Sequence, residues 1–235
     1  MMKNVIYNEL PERISEKLIE RAKKLSPAQL CDGMAKLGIP RNGCMDAALM
    51  PVDPDKLMIG TAYTVDTMEG DNFPIHVAIY QGKPGYVLVI AGKGYMERAY
   101  LGDLMAGAAA VIGLNGLVVD GCVRDKHGLR DLPIPVYSRG FMQRSPAKVG
   151  PGRINTEVEC AGIHVKPGDL VIGDYDGVTI IPKEMIEEVL SAAESKDSYE
   201  MKRREAILEY SKCKIDEKPL PDLTPGWVAD MLNKK

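Results

Sequence analysis

The run Gly85-Tyr-Val-Leu-Val-Ile-Ala-Gly92 constrains the fold more than any other stretch of the chain. Its residues between the two glycines leave no polar face, the pattern of a strand covered on both sides, which belongs to a parallel sheet with layers above and below it. Leu117-Val-Val-Asp120 repeats the pattern, and a helix centred on Leu101 to Ile112 is expected between the two. The chain is therefore expected to be α/β.

The other elements fit around that pair. Ile14, Leu18, Ile19, Ala22 and Leu25 recur at helical spacing over residues 12–25, and Ser26-Pro27 looks like an N-cap and first-turn proline opening a second helix that stops at Gly38. Asp32, inside that helix, reads as a solvated acid or a polar lining residue. Residues 39–58 are expected to be irregular, 60–67 a strand, and Ile75 to Ile79 a short helix. Gly92-Lys93-Gly94 is expected to turn directly into the Leu101 helix. A further short strand is expected at Ile134 to Tyr137, and residues 138–162, rich in Gly, Pro, Arg and Ser, should form a long surface excursion. Short strands over 162–181 should be joined at Asp174-Tyr-Asp176-Gly177 by a hairpin, since Asp-Gly tolerates positive φ. Three neighbouring acids there could hold calcium, but the EF-hand spacing is missing. A charged helix should run from Lys183 to Tyr210 as an arm on another subunit. The tail, with three prolines and Trp227, should dock on the surface.

Composition excludes several classes. With 33 acids against 30 bases and no block of one sign, the chain lacks the electrostatic footprint of a nucleic-acid or anionic-membrane binder. The first residues lack an apolar leader core and no run is long enough to span a bilayer, so a soluble, cytoplasmic protein is expected. Five cysteines, without a CxxC pair, suggest neither a disulfide framework nor a zinc knuckle.

The chemistry concentrates between Ala99 and Asp131. Gly102 and Asp103 open the expected helix, whose first amides, including those of Asp103, Leu104 and Met105, have no intrahelical partners and can seat a carboxylate or phosphate. The plainer reading is an acid favouring the helix dipole. Arg124 and Asp125 follow the carboxyl end of a buried strand, where ligands of open α/β sheets bind. Arginine offers a planar fork for a carboxylate or enolate oxygen, and aspartate a hard ligand for Mg²⁺ or Mn²⁺. A surface ion pair is the alternative. Gly92-Lys93-Gly94 carries Glu97 where a dinucleotide fingerprint needs its third glycine, and no Walker pattern is present. His76, His127 and His164 are scattered, with only His127 and Lys126 near the pair. Cys122 has no evident base partner.

Asp103, twenty intervening residues, then Arg124-Asp125 resembles the signature of the metal-dependent aldolases for 4-hydroxy-4-methyl-2-oxoglutarate and 4-carboxy-4-hydroxy-2-oxoadipate, a family that also contains the regulator of ribonuclease activity A. The resemblance extends through Gly-Thr-Ala-Tyr-Thr-Val at 60–65, Gly-Asp-Asn at 70–72, Pro-Gly-Tyr-Val-Leu-Val at 84–89, Val-Lys-Pro-Gly-Asp at 165–169 and Gly-Asp-Tyr-Asp-Gly-Val at 173–178. It implies a compact β/β/α sandwich of the swivelling-domain type, with flanking N- and C-terminal helices, assembled as a homotrimer or homohexamer. Its division would be an N-terminal helix over 1–25, a catalytic domain over 26–195 and a helical extension over 196–235 that contacts a subunit or partner. By the same resemblance Arg124 holds the carboxylate and enolate oxygen of a small 2-oxo acid, and Asp125 anchors Mg²⁺ or Mn²⁺. Asp103 orients metal-bound water or relays a proton, and backbone groups of Gly102, Asp103, Leu104 and Met105 complete the seat. Glu200 is the nearest match to an acid contributed by a neighbouring subunit. The implied activity is class II pyruvate-aldolase cleavage with oxaloacetate decarboxylation. The alternative is a non-catalytic regulator that binds a ribonuclease or helicase.

Overall fold

The structure, a computed structural model, describes residues 5–233. Residues 1–4 and the last two residues of the tail lie outside that range. In chain order the elements are β1 (Val5–Tyr7), α1 (Glu16–Ala22), α2 (Pro27–Lys36), β2 (Met50–Pro51), β3 (Met58–Thr67), α3 (Phe73–Gln81), β4 (Tyr86–Ala99), α4 (Asp103–Ile112), β5 (Gly116–Val123), α5 (Lys126–Asp131), β6 (Val136–Phe141), β7 (Gly152–Ile154), β8 (Val158–Cys160), β9 (Ile163–Val165), β10 (Leu170–Asp174), β11 (Gly177–Ile181), α6 (Ile186–Ile215) and α7 (Gly226–Asn233). They fall into two compact units, Met1–Ala193 and Glu194–Lys235.

The first unit is α/β. Strands β3, β4, β5 and β6 form a parallel core within the order β1-β7-β3-β4-β5-β6-β2. The edge of β3 is shared: Met58 to Thr61 pair antiparallel with β10, and Val65 to Thr67 with β7. Continuous apolar strands divide their side chains between two cores. Tyr63, Leu88, Ile90, Leu117 and Val119 face the layer of α3, α4 and α5, whereas Ala62, Val87, Val89 and Val118 face a second β layer with Val158, Ile163, Val171 and Ile180. A third cluster packs α1, α2 and the start of α6 on β10 and β11. Ser26 and Gln29 cap α2 reciprocally, as the Ser-Pro opening suggests.

Three expectations are corrected. The amino-terminal helix is shorter than residues 12–25, because Ile14 N–H donates instead to Thr61 Oγ1 at 3.0 Å. Gly92-Lys93-Gly94 does not turn into a helix; it is a bulge inside the 14-residue β4, with φ of 61° at Lys93 and 68° at Gly94 and register shifts against β5. Residues 138–162 are not simply a surface excursion: β7 enters the sheet between β1 and β3, and β8 pairs with β9.

In the second unit, the tail follows α6 and ends in α7, which the prolines had obscured. Arg203 Nη2 donates to Leu223 O at 2.7 Å, and Trp227 is exposed. Among the described residues no helix is long and apolar enough to cross a membrane.

Candidate active site

The carboxyl ends of β4 and β5, with the loop after β6, enclose a cleft of about 190 Å³ lined by Asn72, His76, Leu101 to Met105, Arg124, Asp125, Ser145, Pro146 and Lys148. Its size suits a small acid better than a drug-sized ligand, for which pockets start near ~300 Å³. The sequence therefore placed Gly102, Asp103, Leu104, Met105, Arg124 and Asp125 at one site, and the fold brings all six together.

Gly102 is the N-cap of α4 in extended backbone. Its glycine identity has a steric cause: a Cβ would lie 2.2 Å from Asp125 Oδ2 and 3.0 Å from Arg124 Cγ. Arg124 N–H donates to Leu101 O at 3.0 Å, which seats the turn after β5 against the turn before α4. The guanidinium donates from Nη1 to Ser145 Oγ at 2.9 Å, and its Nε lies 3.4 Å from Asp125 Oδ2. Asp125 itself sits at φ 61° and ψ 48°, a left-handed conformation that costs a non-glycine residue energy and that clusters at functional sites. Asp103 Oδ1 accepts from Leu104 N–H at 2.7 Å, which occupies one of the amides expected to be open for a carboxylate.

Four polar lining residues escaped sequence reasoning: Asn72, His76, Ser145 and Lys148. Asn72 is 2% exposed; its Nδ2 donates to Tyr100 O at 3.0 Å, while its Oδ1 is buried without a hydrogen-bond partner. An orphaned buried acceptor in a cleft is an expensive feature unless a ligand supplies the donor. Its signal was the Gly-Asp-Asn triplet. His76 projects from α3, and burial, then the Lys148 charge, lowers its pKa, which favours the neutral ring. Ser145 and Lys148 arrive on a loop held by Asp71. That carboxylate is 3% exposed and accepts from Val149 N–H at 2.6 Å, Gly150 N–H at 3.1 Å and Phe73 N–H at 2.9 Å. Ala147 N–H donates to Gly70 O at 2.8 Å, and Ala147 O accepts from Asn72 N–H at 3.0 Å.

Of the remaining candidates, Glu200 lies in the second unit, on α6, 3.2 Å from Arg204 Nη2. Among the described residues no three His, Cys, Asp or Glu side chains form a metal cage. The donors that line the cleft, the carboxylates of Asp125 and Asp103, instead fit a hard ion that retains much of its water. Cys122 is buried, its thiol pKa raised by that burial, which leaves it unsuited to attack.

The profile of the RraA-like family, described as Aldolase/RraA, matches residues 27–180. A protein of Halalkalibacterium halodurans, provisionally named a 4-hydroxy-4-methyl-2-oxoglutarate aldolase, is 39% identical over 163 residues, covering 69% of this chain and 78% of its own. The crystal structure of Streptomyces coelicolor RraAS2, titled an unusual member of the RNase ES inhibitor RraA protein family, is similar with a TM-score of 0.74 and 26% identity over 83% of this chain and 98% of that one. The Thermus RNA-processing inhibitor RraA superposes with a TM-score of 0.56 and 27% identity, covering 60% and 85%. The profile match across most of the first unit, with a relative 39% identical over 69% of the chain, shows that the chain belongs to the RraA-like family of aldolases and RraA proteins.

Proposed function

We propose that this protein is a lyase that cleaves a 4-hydroxy-2-oxo acid between C3 and C4 to release pyruvate, with oxaloacetate decarboxylation as a second reaction through the same enolate. The observation that supports this reading is the convergence of Arg124, Asp125 and Asp103 on one small cleft that also contains the unpartnered Asn72 Oδ1. Arg124, steadied by Ser145, presents its guanidinium to the substrate carboxylate and to the C2 oxygen, where negative charge develops. Asp103 accepts the proton of the 4-hydroxyl, directly or through water; the C3–C4 bond breaks, C4 becomes a carbonyl, and its electrons enter the C2–C3 enolate. Protonation at C3 gives pyruvate. A Mg²⁺ or Mn²⁺ ion, when bound, would neutralise charge on the 2-oxo group, and Asp125 is the residue that would hold it. Lys148 lines the wall where a second carboxylate of the substrate would lie. Assembly as a homotrimer or homohexamer belongs to this reading, with Glu200 reaching a neighbouring site. Leu104 and Val111, 86% and 91% exposed on α4, give an apolar face that assembly would cover.

The likeness to two structures titled as ribonuclease or RNA-processing inhibitors supports a second reading, a non-catalytic regulator that binds a ribonuclease or helicase. Purified protein with Mg²⁺ or Mn²⁺ and either oxaloacetate or 4-hydroxy-4-methyl-2-oxoglutarate, followed by a coupled pyruvate assay, separates the two. Lyase action requires pyruvate above the metal-only blank, lost in Arg124→Ala and Asp125→Ala. No release from either substrate, with ribonuclease activity falling on addition of the protein, selects the regulator.

A further inference from the structure

A second cavity, of about 320 Å³, lies away from the cleft between α2, the turn at 40–47 and β11. Cys31 of α2 and Cys44 both line it, with their sulfurs 2.6 Å apart and Thr179 Oγ1 3.4 Å from Cys31 Sγ. Both side chains are partly exposed, whereas Cys122 and Cys160 are buried. Two thiolates on one tetrahedral zinc would stand about 3.8 Å apart, given Zn–S distances near 2.3 Å. The sulfurs here are too close to straddle an ion and already within reach of one another.

The backbone before Cys44 supplies the second observation. Arg41, Asn42 and Gly43 all have positive φ, at 51°, 53° and 67°, and a Cβ at Gly43 would lie 2.2 Å from Ile180 O. Successive left-handed residues are unfavourable for side-chain-bearing positions, so this turn holds its shape only by what fastens it. Cys44 N–H reaches Arg41 O at 3.0 Å, and Cys44 bridges Thr179 of β11. A covalent tie from Cys44 to Cys31 would fix the strained turn to α2.

We infer that Cys31 and Cys44 are an oxidation site, a dithiol that a small neutral peroxide converts to a reversible disulfide clamping the 41–43 turn to α2. One sulfur attacks the peroxide, forming S–O as O–O breaks and water leaves. The second sulfur then displaces that oxygen, forming S–S and releasing a second water; the two thiols lose two electrons and two protons, and hydrogen peroxide takes them up. Asp32, Asp46 and Asp176 on the same cavity disfavour an anionic oxidant such as glutathione disulfide. Burial pushes the Cys31 thiol up to about 12, so Cys44 is the sulfur that attacks the peroxide and Cys31 the one that closes the disulfide.

The test uses the full chain, reduced and desalted, then exposed to hydrogen peroxide. Thiol titration should fall from five to three, and peptide mass spectrometry should find Cys31 and Cys44 joined with the loss of two hydrogens, reversed by dithiothreitol. The melting temperature should rise by about 5 °C on oxidation, as closure of a short loop predicts, and this rise should vanish in Cys44→Ser. Mass mapping of the unaltered chain does not depend on whether that variant folds. Five persisting thiols, irreversible oxyacids on Cys31 or Cys44 without a link, or a link between other cysteines would each overturn the inference.

Discussion

At the scale of single residues, the cleft is set by contacts that tolerate little change. Gly102→Ala places a methyl carbon against Asp125 Oδ2 and the Arg124 side chain, so both side chains must shift from their places in the cleft. Pyruvate release is expected to fall at least about tenfold, equivalent to ~1.4 kcal/mol of barrier, while thermal stability drops by only a few degrees; a coupled assay and a melting curve check both. The histidines give a pH test. Burial, then Lys148, depresses His76, so its contribution to stability is full above the ordinary histidine value and is lost as pH falls through its lower folded value. The Glu159 hydrogen bond, joined by Glu157, raises exposed His164, whose contribution is present below the ordinary value and lost as pH rises through the raised one. An NMR titration should order the midpoints with His76 below and His164 above the ordinary value near ~6.5.

At the scale of elements, the loop after β6 decides whether the cleft has its second wall. Asp71 anchors that loop with three backbone N–H bonds. Asp71→Ala should cost about 3 kcal/mol, since bonds to a buried charged acceptor are strong and their loss leaves amides unpaired. Hydrogen exchange at Val149 and Gly150 should accelerate while that of β4 and β5 stays protected. This loop also shows where local sequence stops being informative. The apolar runs of β4 and β5 announce their burial, and Gly102 marks the start of α4 by its position before an acid. Nothing local in the residues after Phe141 tells that Asp71, far earlier in the chain, lines up their amides, or that β7 fills a gap beside β3. Lys93 and Gly94 misled for a related reason: glycine beside lysine suits a turn and a bulge equally, and only the pairing with β5 decides.

At the scale of the whole molecule, the α/β architecture followed from strands with no polar face, because such strands need cover on both sides. The second β layer was legible only as a set of short strands over 162–181. The site was half legible: Asp103 and Arg124-Asp125 stand at an informative spacing, whereas Asn72, His76, Ser145 and Lys148 join them only through the fold. The central claim is that this cleft stabilises the enolate of a 2-oxo acid, whatever longer substrate it accepts. The most direct measurement is the exchange of the pyruvate methyl protons in D₂O, followed by NMR with the protein and Mg²⁺. The account predicts loss of the methyl signal well above the metal-only rate and its return to that rate in Arg124→Ala. Exchange at the metal-only rate with the unaltered protein, or equal exchange in the variant, would contradict it.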